Sequence, residues 1–247
     1  MNTTIEQLKN RKSCRAYENK PIPPDIKRAI LDSALQAPSA GNMTLYTILD
    51  ITDEDLKKRL SVTCDNQPFI AEAPMVLVFL ADYYRWYKAF RDNIEQVRQP
   101  EEGDFLLAQA DAIIAAQNTV VAAESLGIGS CYIGDITENF EIHREILSLP
   151  DYVVPACMLC FGYPAESQIK RKKPTRHELS DIVHENIYNI EKADRMNEML
   201  MKKQGLEDEE SYIHWLKNFC KRKWNSDFSV EMSRSVREMI KHFCKKS

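Results

Sequence analysis

Glycine is scarce, at seven of 247 residues, which excludes collagen-like and low-complexity chains. Charge of one sign is also lacking. The net charge is −4, so nucleic acid is not expected as the main partner. Long uninterrupted apolar runs are missing too. The most apolar stretch, within residues 104–135, is broken by Gln109, Asp111, Gln117, Asn118 and Glu124, so no membrane span is expected. The N-terminus, MNTTIEQLKNRKS, has no apolar segment of the kind a secretory signal needs. Seven cysteines, an odd number without a framework, suit a reducing compartment, and the expected location is cytoplasmic. There is no HExxH, no second CxxC beside Cys157–Cys160, and no GxxxxGK[ST] loop, so neither a metal site nor a P-loop is expected. Gly127-x-Gly129 follows a predicted helix instead of a strand, so the dinucleotide fingerprint fails.

What is present begins with residues 104–126. Ile113, Ile114, Ala116, Val120, Val121, Ala123 and Leu126 surround the predicted helix, which marks a buried core element and part of a subunit interface. Gly127 is placed to stop it as a left-handed cap. Thr3 with Glu6 opens a short first helix, and Pro23, Pro24 and Asp25 start a second. Residues 45–51, 75–81, 129–134 and 153–162 read as strands. Within the last, Cys157 and Cys160 should face opposite sides of the sheet, which argues against a redox pair. After about residue 190 the chain turns charged and amphipathic. We therefore expect a main domain over 1–190 and a helical extension over 191–247 packed on it. Strands interleaved with helices without regular alternation indicate an α+β fold.

Two basic runs could carry chemistry. Arg11, Lys12 and Arg15 with the Ser13 hydroxyl set charged and neutral donors within five residues, a combination that suits a phosphate. The run from Lys170 to Arg176 could be a second half of an anion clamp, a nucleic-acid patch or a solvated loop. The small residues 37–42 would let a flat ligand approach the backbone, or simply form a turn.

Taken in order, these pieces resemble the FMN-dependent nitroreductase and flavin reductase family, in its longer, oxygen-insensitive, NADPH-preferring branch. They are Arg11-x-Ser13-x-Arg15, Pro21-Ile22, Ala37-Pro38-Ser39-x-x-Asn42, Gln67, Ala73-Pro74, and Ala122-Ala123-Glu124-Ser125-Leu126-Gly127-x-Gly129 with Tyr132-Ile133-Gly134. Gly162-Tyr163-Pro164, Arg176 and Val183-His184-Glu185-Asn186 complete the set. The match spans about residues 5–190. The family's Asn-x-Gln-Pro-Trp reads Asn42-Met43-Thr44-Leu45-Tyr46 here, and Asp135 stands where a glycine is frequent.

The resemblance implies a central mixed, mostly antiparallel sheet flanked by helices, in an intertwined homodimer with FMN at the interface. Arg11, Lys12, Ser13 and Arg176, with Lys172 or Lys173, would hold the phosphate and ribityl chain. Arg15 and Gln67 would meet the pyrimidine edge, Tyr132, Ile133 and Gly134 the ring face, and Ser39 and Asn42 would come from the partner. It implies ping-pong transfer from NAD(P)H to nitroaromatics, quinones or free flavin, with no catalytic side chain. Lys202 or Lys203 would meet the 2′-phosphate of NADPH. The alternative is an FMN-binding protein without turnover.

Overall fold

A computed structural model describes residues 2–245; positions 1, 246 and 247 at the ends of the expected domains lie outside them. Four strands are formed, β1 (Tyr46–Asp50), β2 (Met75–Asp82), β3 (Gly129–Ile133) and β4 (Val153–Gly162). The helices before β3 are α1 (Thr3–Asn10), α2 (Pro24–Ala34), α3 (Glu54–Thr63), α4 (Pro68–Glu72), α5 (Tyr84–Asn93) and α6 (Glu102–Ser125). Then come α7 (Phe140–Ile146), α8 (Glu166–Lys170), α9 (Leu179–Ile182), α10 (Ile190–Asp194), α11 (Met196–Gln204), α12 (Glu209–Lys223) and α13 (Asp227–Cys244). The sheet order is β1-β2-β4-β3, and every pairing is antiparallel, in line with the expected α+β class.

Strand alternation sorts the core into two layers. Met75, Leu77, Phe79, Cys157, Leu159 and Phe161 face α2 and α6, while Val76, Val78, Leu80, Met158, Cys160, Cys131 and Ile133 face the other way with Leu60 and Ile70. Cys157 and Cys160 thus lie on opposite faces, as period-2 geometry requires. Burying each large apolar side chain contributes about 1.5–3 kcal/mol. Both faces of β2 and β4 are covered, which is why their sequences are continuously apolar.

Helix α6 differs from expectation. Ala108, Ala112, Ala115, Ala116, Val120 and Ala123 are fully buried, but Leu106, Leu107, Ile113 and Ile114 are exposed at 40–66%. The helix packs on the sheet along one side only, so its apolar residues are not covered all round. By length and composition α6 is long and apolar enough to cross a membrane; its burial against the sheet gives that apolarity another cause. It begins with a reciprocal cap between Glu101 and Asp104, where Arg98 beside Asp104 holds the carboxyl below its usual range. It ends at Gly127, whose φ of 73° is the left-handed cap read from the sequence.

The chain divides into two compact units, residues 1–171 with 231–247, and residues 172–230. The expected boundary at 190 falls inside the second unit, because composition changes later than packing does. In the first unit the C-terminal part of α13 packs on the main body through Met239 and Phe243. The Ser235 hydroxyl accepts from the Phe140 N–H at 3.0 Å and donates to the Thr137 carbonyl at 2.7 Å. In the second unit, Tyr212, Trp215 and Phe219 stack along α12, and Lys202 pairs with Glu178 at 2.8 Å.

Candidate functional site

The segment after α1 is held flat against edge strand β3. The Cys14 N–H donates to the Ser130 carbonyl at 2.9 Å, and Cys14 is buried against Gly129. A side chain at Gly129 would stand 2.7 Å from the Cys14 Cβ, so glycine is required for this approach. An extended segment alternates its side chains. Arg11, Ser13 and Arg15 all act on the Cys131 thiol, whose pKa is nevertheless raised, chiefly by burial. Asn10, Lys12 and Cys14 line a separate cavity of about 190 Å³ with Glu124, Gly129, Pro164, Gln168 and Ile169. Arg11 also reaches this cavity, where burial raises the pKa of Glu124 and the Arg11 charge lowers it.

The Lys12 ammonium donates to the carbonyl oxygens of Ile169, at 2.7 Å, and Arg171, at the C-terminal end of α8. Arg11 and Arg15 make no salt bridge among the described residues, and the Arg11 Nε is buried without a hydrogen-bond partner. Ser13 is half-buried between them.

Gln67 occupies the N-cap position of α4, and its side chain donates instead to the Cys64 carbonyl at 2.9 Å. Asp65 and Asn66 before it both adopt left-handed backbone, with φ of 62° and 51°, which turns the chain sharply toward Gln67. Past β3, Gly134 is exposed and begins a 3-10 turn, Gly134–Thr137. Ile133 is 1% exposed, so only its backbone is available to a ligand. The Tyr132 hydroxyl bonds the Gln117 side chain at 3.2 Å, and its phenol pKa is raised by burial.

Ser39 and Asn42 stand at the other edge of the sheet, on the loop that feeds β1. Strands β2 and β4 lie between β1 and β3, a separation of about 14 Å at ordinary strand spacing. Within one chain these residues do not join the 11–15 segment. Their loop is rigidly braced. The Asp111 carboxylate, 3% exposed, accepts from the Ala40 N–H at 2.9 Å and the Leu45 N–H at 3.1 Å. The Trp86 indole donates to the Met43 carbonyl at 2.6 Å, and Arg85 to those of Thr44 and Tyr46. The Ser39 hydroxyl accepts from the Thr44 N–H at 3.0 Å. Thr44, β-branched with φ of 53°, is strained backbone that this bracing maintains.

Lys173 and Arg176 belong to the second unit, on the stretch between α8 and α9; Lys173 is half-buried and Arg176 exposed. Lys202, expected near an NADPH phosphate, is already paired with Glu178.

The chain matches the profile of the Nitroreductase family over residues 8–163. It is 32% identical over 235 residues to the FMN reductase (NADPH) of Bacillus subtilis strain 168, covering 90% of this chain and 93% of that one. This chain belongs to the nitroreductase family. It is also 31% identical over 195 residues to the NADPH-dependent oxidoreductase of Staphylococcus aureus strain USA300, covering 78% of this chain and 76% of that one. The structure of B. megaterium NfrA1 superposes with a TM-score of 0.80 at 28% identity, covering 96% of this chain and 98% of that one.

FMN is the cofactor the family implies, and the residues fit it. Arg11 has a buried, unpartnered donor two residues from Ser13, which suits a phosphate oxygen. Gly134 leaves the backbone open to a flat ring, since a side chain there would meet nothing within 4 Å. Two residues that sequence reasoning passed over also shape the site. Asp111 was noted only as a break in an apolar run, yet it organises the 40–45 loop. Gln168, in a polar stretch without a motif, is 5% exposed and bonds both Ser13 and Arg15. Only a buried polar side chain in contact with the motif marks it, and burial is not visible in sequence.

Proposed function

We propose that this chain is an FMN-dependent oxidoreductase that takes two electrons from NAD(P)H and delivers them to a small flat acceptor such as a nitroaromatic, a quinone or free flavin. The observation that carries this reading is the 11–15 segment: Arg11 and Arg15 form no salt bridge among the described residues, and the Arg11 Nε is buried without a hydrogen-bond partner. The FMN reductase (NADPH) of B. subtilis supports the donor and the cofactor.

Bound FMN supplies the two-electron carrier between donor and acceptor. Arg11 and Ser13 would hold its phosphate. Arg15 and Gln67 would face the pyrimidine edge, where a fixed cation favours negative charge that develops on reduction. The backbone of Ile133 and Gly134 would line the ring. For a quinone, the net reaction consumes NAD(P)H and a proton and yields NAD(P)+ and a quinol. No nucleophilic or basic side chain is required. The Cys14, Cys64, Cys157 and Cys160 thiols are all raised in pKa by burial, which suits structural cysteines.

The reading includes a homodimer. Ser39 and Asn42 lie on the opposite sheet edge from Arg11, so a site using both needs a second copy, and the exposed Leu106, Leu107, Ile113 and Ile114 on α6 offer an apolar surface for it.

The test is the visible spectrum of the purified protein, followed by NADPH or NADH without oxygen. A flavin spectrum that bleaches within seconds supports the enzyme and names its donor. A flavin colour that persists indicates a binding protein without turnover. Absence of flavin, even after FMN is added, rejects the reading.

A further inference from the structure

Helix α8 is pinned along the whole 12–16 segment. The Ala165 N–H donates to the Ala16 carbonyl at 3.0 Å. The Gln168 side-chain amide donates from Nε2 to the Ser13 carbonyl at 2.9 Å, and its Oε1 accepts from the Arg15 N–H at 3.3 Å. At the far end Lys12 caps the carbonyls of Ile169 and Arg171, groups that a helix end leaves without internal partners. On its other side the segment is bonded to β3 through Cys14. Between these supports the strip stays extended, and an extended strip directs residues 11, 13 and 15 to one side and 12 and 14 to the other. Gln168 supplies one donor and one acceptor where a neighbouring strand would, so the backbone polar groups of Ser13 and Arg15 are satisfied without a further strand.

We propose that Lys12 and Gln168 are positioning residues: they act through α8 to aim Arg11, Ser13 and Arg15, and Lys12 itself does not contact the cofactor phosphate. This rests on the reading of the 11–15 segment as part of an FMN site. A phosphate ligand and a positioning residue fail differently. Loss of a phosphate ligand weakens FMN and leaves riboflavin, which lacks the phosphate, untouched. Loss of a residue that sets the whole strip weakens both, because Arg11 and Ser13 on the phosphate side move together with Arg15 on the ring side.

The experiment titrates flavin-stripped full-length protein with FMN and with riboflavin by fluorescence quenching, for wild type, Arg11→Ala, Lys12→Met, Lys12→Gln and Gln168→Met. Hydrogen exchange of the peptide covering residues 13–16 is measured on the same samples. We expect Lys12→Met and Gln168→Met to weaken both flavins by about tenfold, the scale of losing one or two hydrogen bonds. The preference for FMN over riboflavin should stay within about twofold of wild type, and exchange at 13–16 should quicken at least tenfold. Lys12→Gln, a neutral donor, should recover part of the loss. Lys12→Met weakening FMN alone, or either variant binding and exchanging as wild type does, overturns the proposal. Arg11→Ala should collapse the preference for FMN; if it does not, the phosphate reading of the segment fails while the positioning result stands on exchange. A Met variant that does not fold leaves Lys12→Gln and Gln168→Glu to decide by the same exchange criterion.

Discussion

The two basic runs are alike in composition and unlike in support. Residues 11–15 are bonded on both flanks, to β3 through Cys14 and to α8 through Lys12 and Gln168. In the run 170–176, Lys170 is occupied by Glu166, Lys173 is half-buried and Arg176 stands exposed at the entry to the second unit. The difference teaches that a count of cations does not define an anion site. In the first run the cation nearest in sequence to the serine, Lys12, is the one directed away, because alternation in an extended backbone outranks proximity along the chain.

The largest expected effect comes from disabling both runs together. If each contributes the charge-assisted hydrogen bond that the resemblance implies, worth about 1.5–3 kcal/mol, Arg11→Ala with Arg176→Ala should weaken FMN by about 100-fold or more. The purified protein should be colourless, with a thermal midpoint close to wild type, because neither side chain is in the core. Normal flavin occupancy in the folded double variant would reject the clamp.

A change that strikes only the supported run comes next. Gly129→Ala places a methyl group 2.7 Å from the Cys14 Cβ and 3.1 Å from the Pro164 Cγ. Such overpacking costs about 1–3 kcal/mol, read as a lower urea midpoint, and should loosen residues 11–15. A Gly129→Ala protein with unchanged stability would show that the close approach is not a constraint.

An acidic counterpart sharpens the comparison further. Glu138, 5% exposed past β3, has its pKa raised from 4.5 to about 7, first by burial and then by Asp135, Asp65 and Glu231. Below about pH 4.5 both folded and unfolded chains hold this proton. Between about 4.5 and 7 the unfolded chain has released it and the folded chain has not, so this group's contribution to stability falls as pH rises across that window and then levels. Urea titrations at several pH values should show that slope, and Glu138→Gln should flatten it; an identical slope in the variant would remove Glu138 as its source.

The smallest effect is expected at Cys157, a buried thiol in β4 that the proposed site does not use. Burial pushes its thiol up to about 12, so it stays protonated at neutral pH. Cys157→Ala should change turnover less than twofold and stability by about 1 kcal/mol. A large loss of activity in a folded variant would give the thiol a redox role.

Much of this was readable from residues alone. The unbroken apolar runs of β2 and β4, the proline start of α2 and the glycine stop of α6 lie where local pattern placed them. So did the opposite faces of Cys157 and Cys160. The ordered motifs pointed to the family that the profile match and the relatives establish. Other features were not readable. The pattern of α6 predicted burial all round, yet Ile113 and Ile114 are exposed, since apolar periodicity records that a face will be covered and not by which molecule. Asp111 and Gln168 looked like ordinary polar residues.

The division has a physical basis. Helix caps, strand alternation and turn glycines depend on backbone geometry within a few residues, so composition and spacing settle them. The direction of Lys12, the bracing of the 40–45 loop and the separation of Ser39 from Arg11 depend on hydrogen bonds and sheet order that join residues far apart in the chain, Lys12 to Ile169 and Asp111 to Ala40 among them. Those pairings exist only once the sheet has formed and brought the two ends of each bond together.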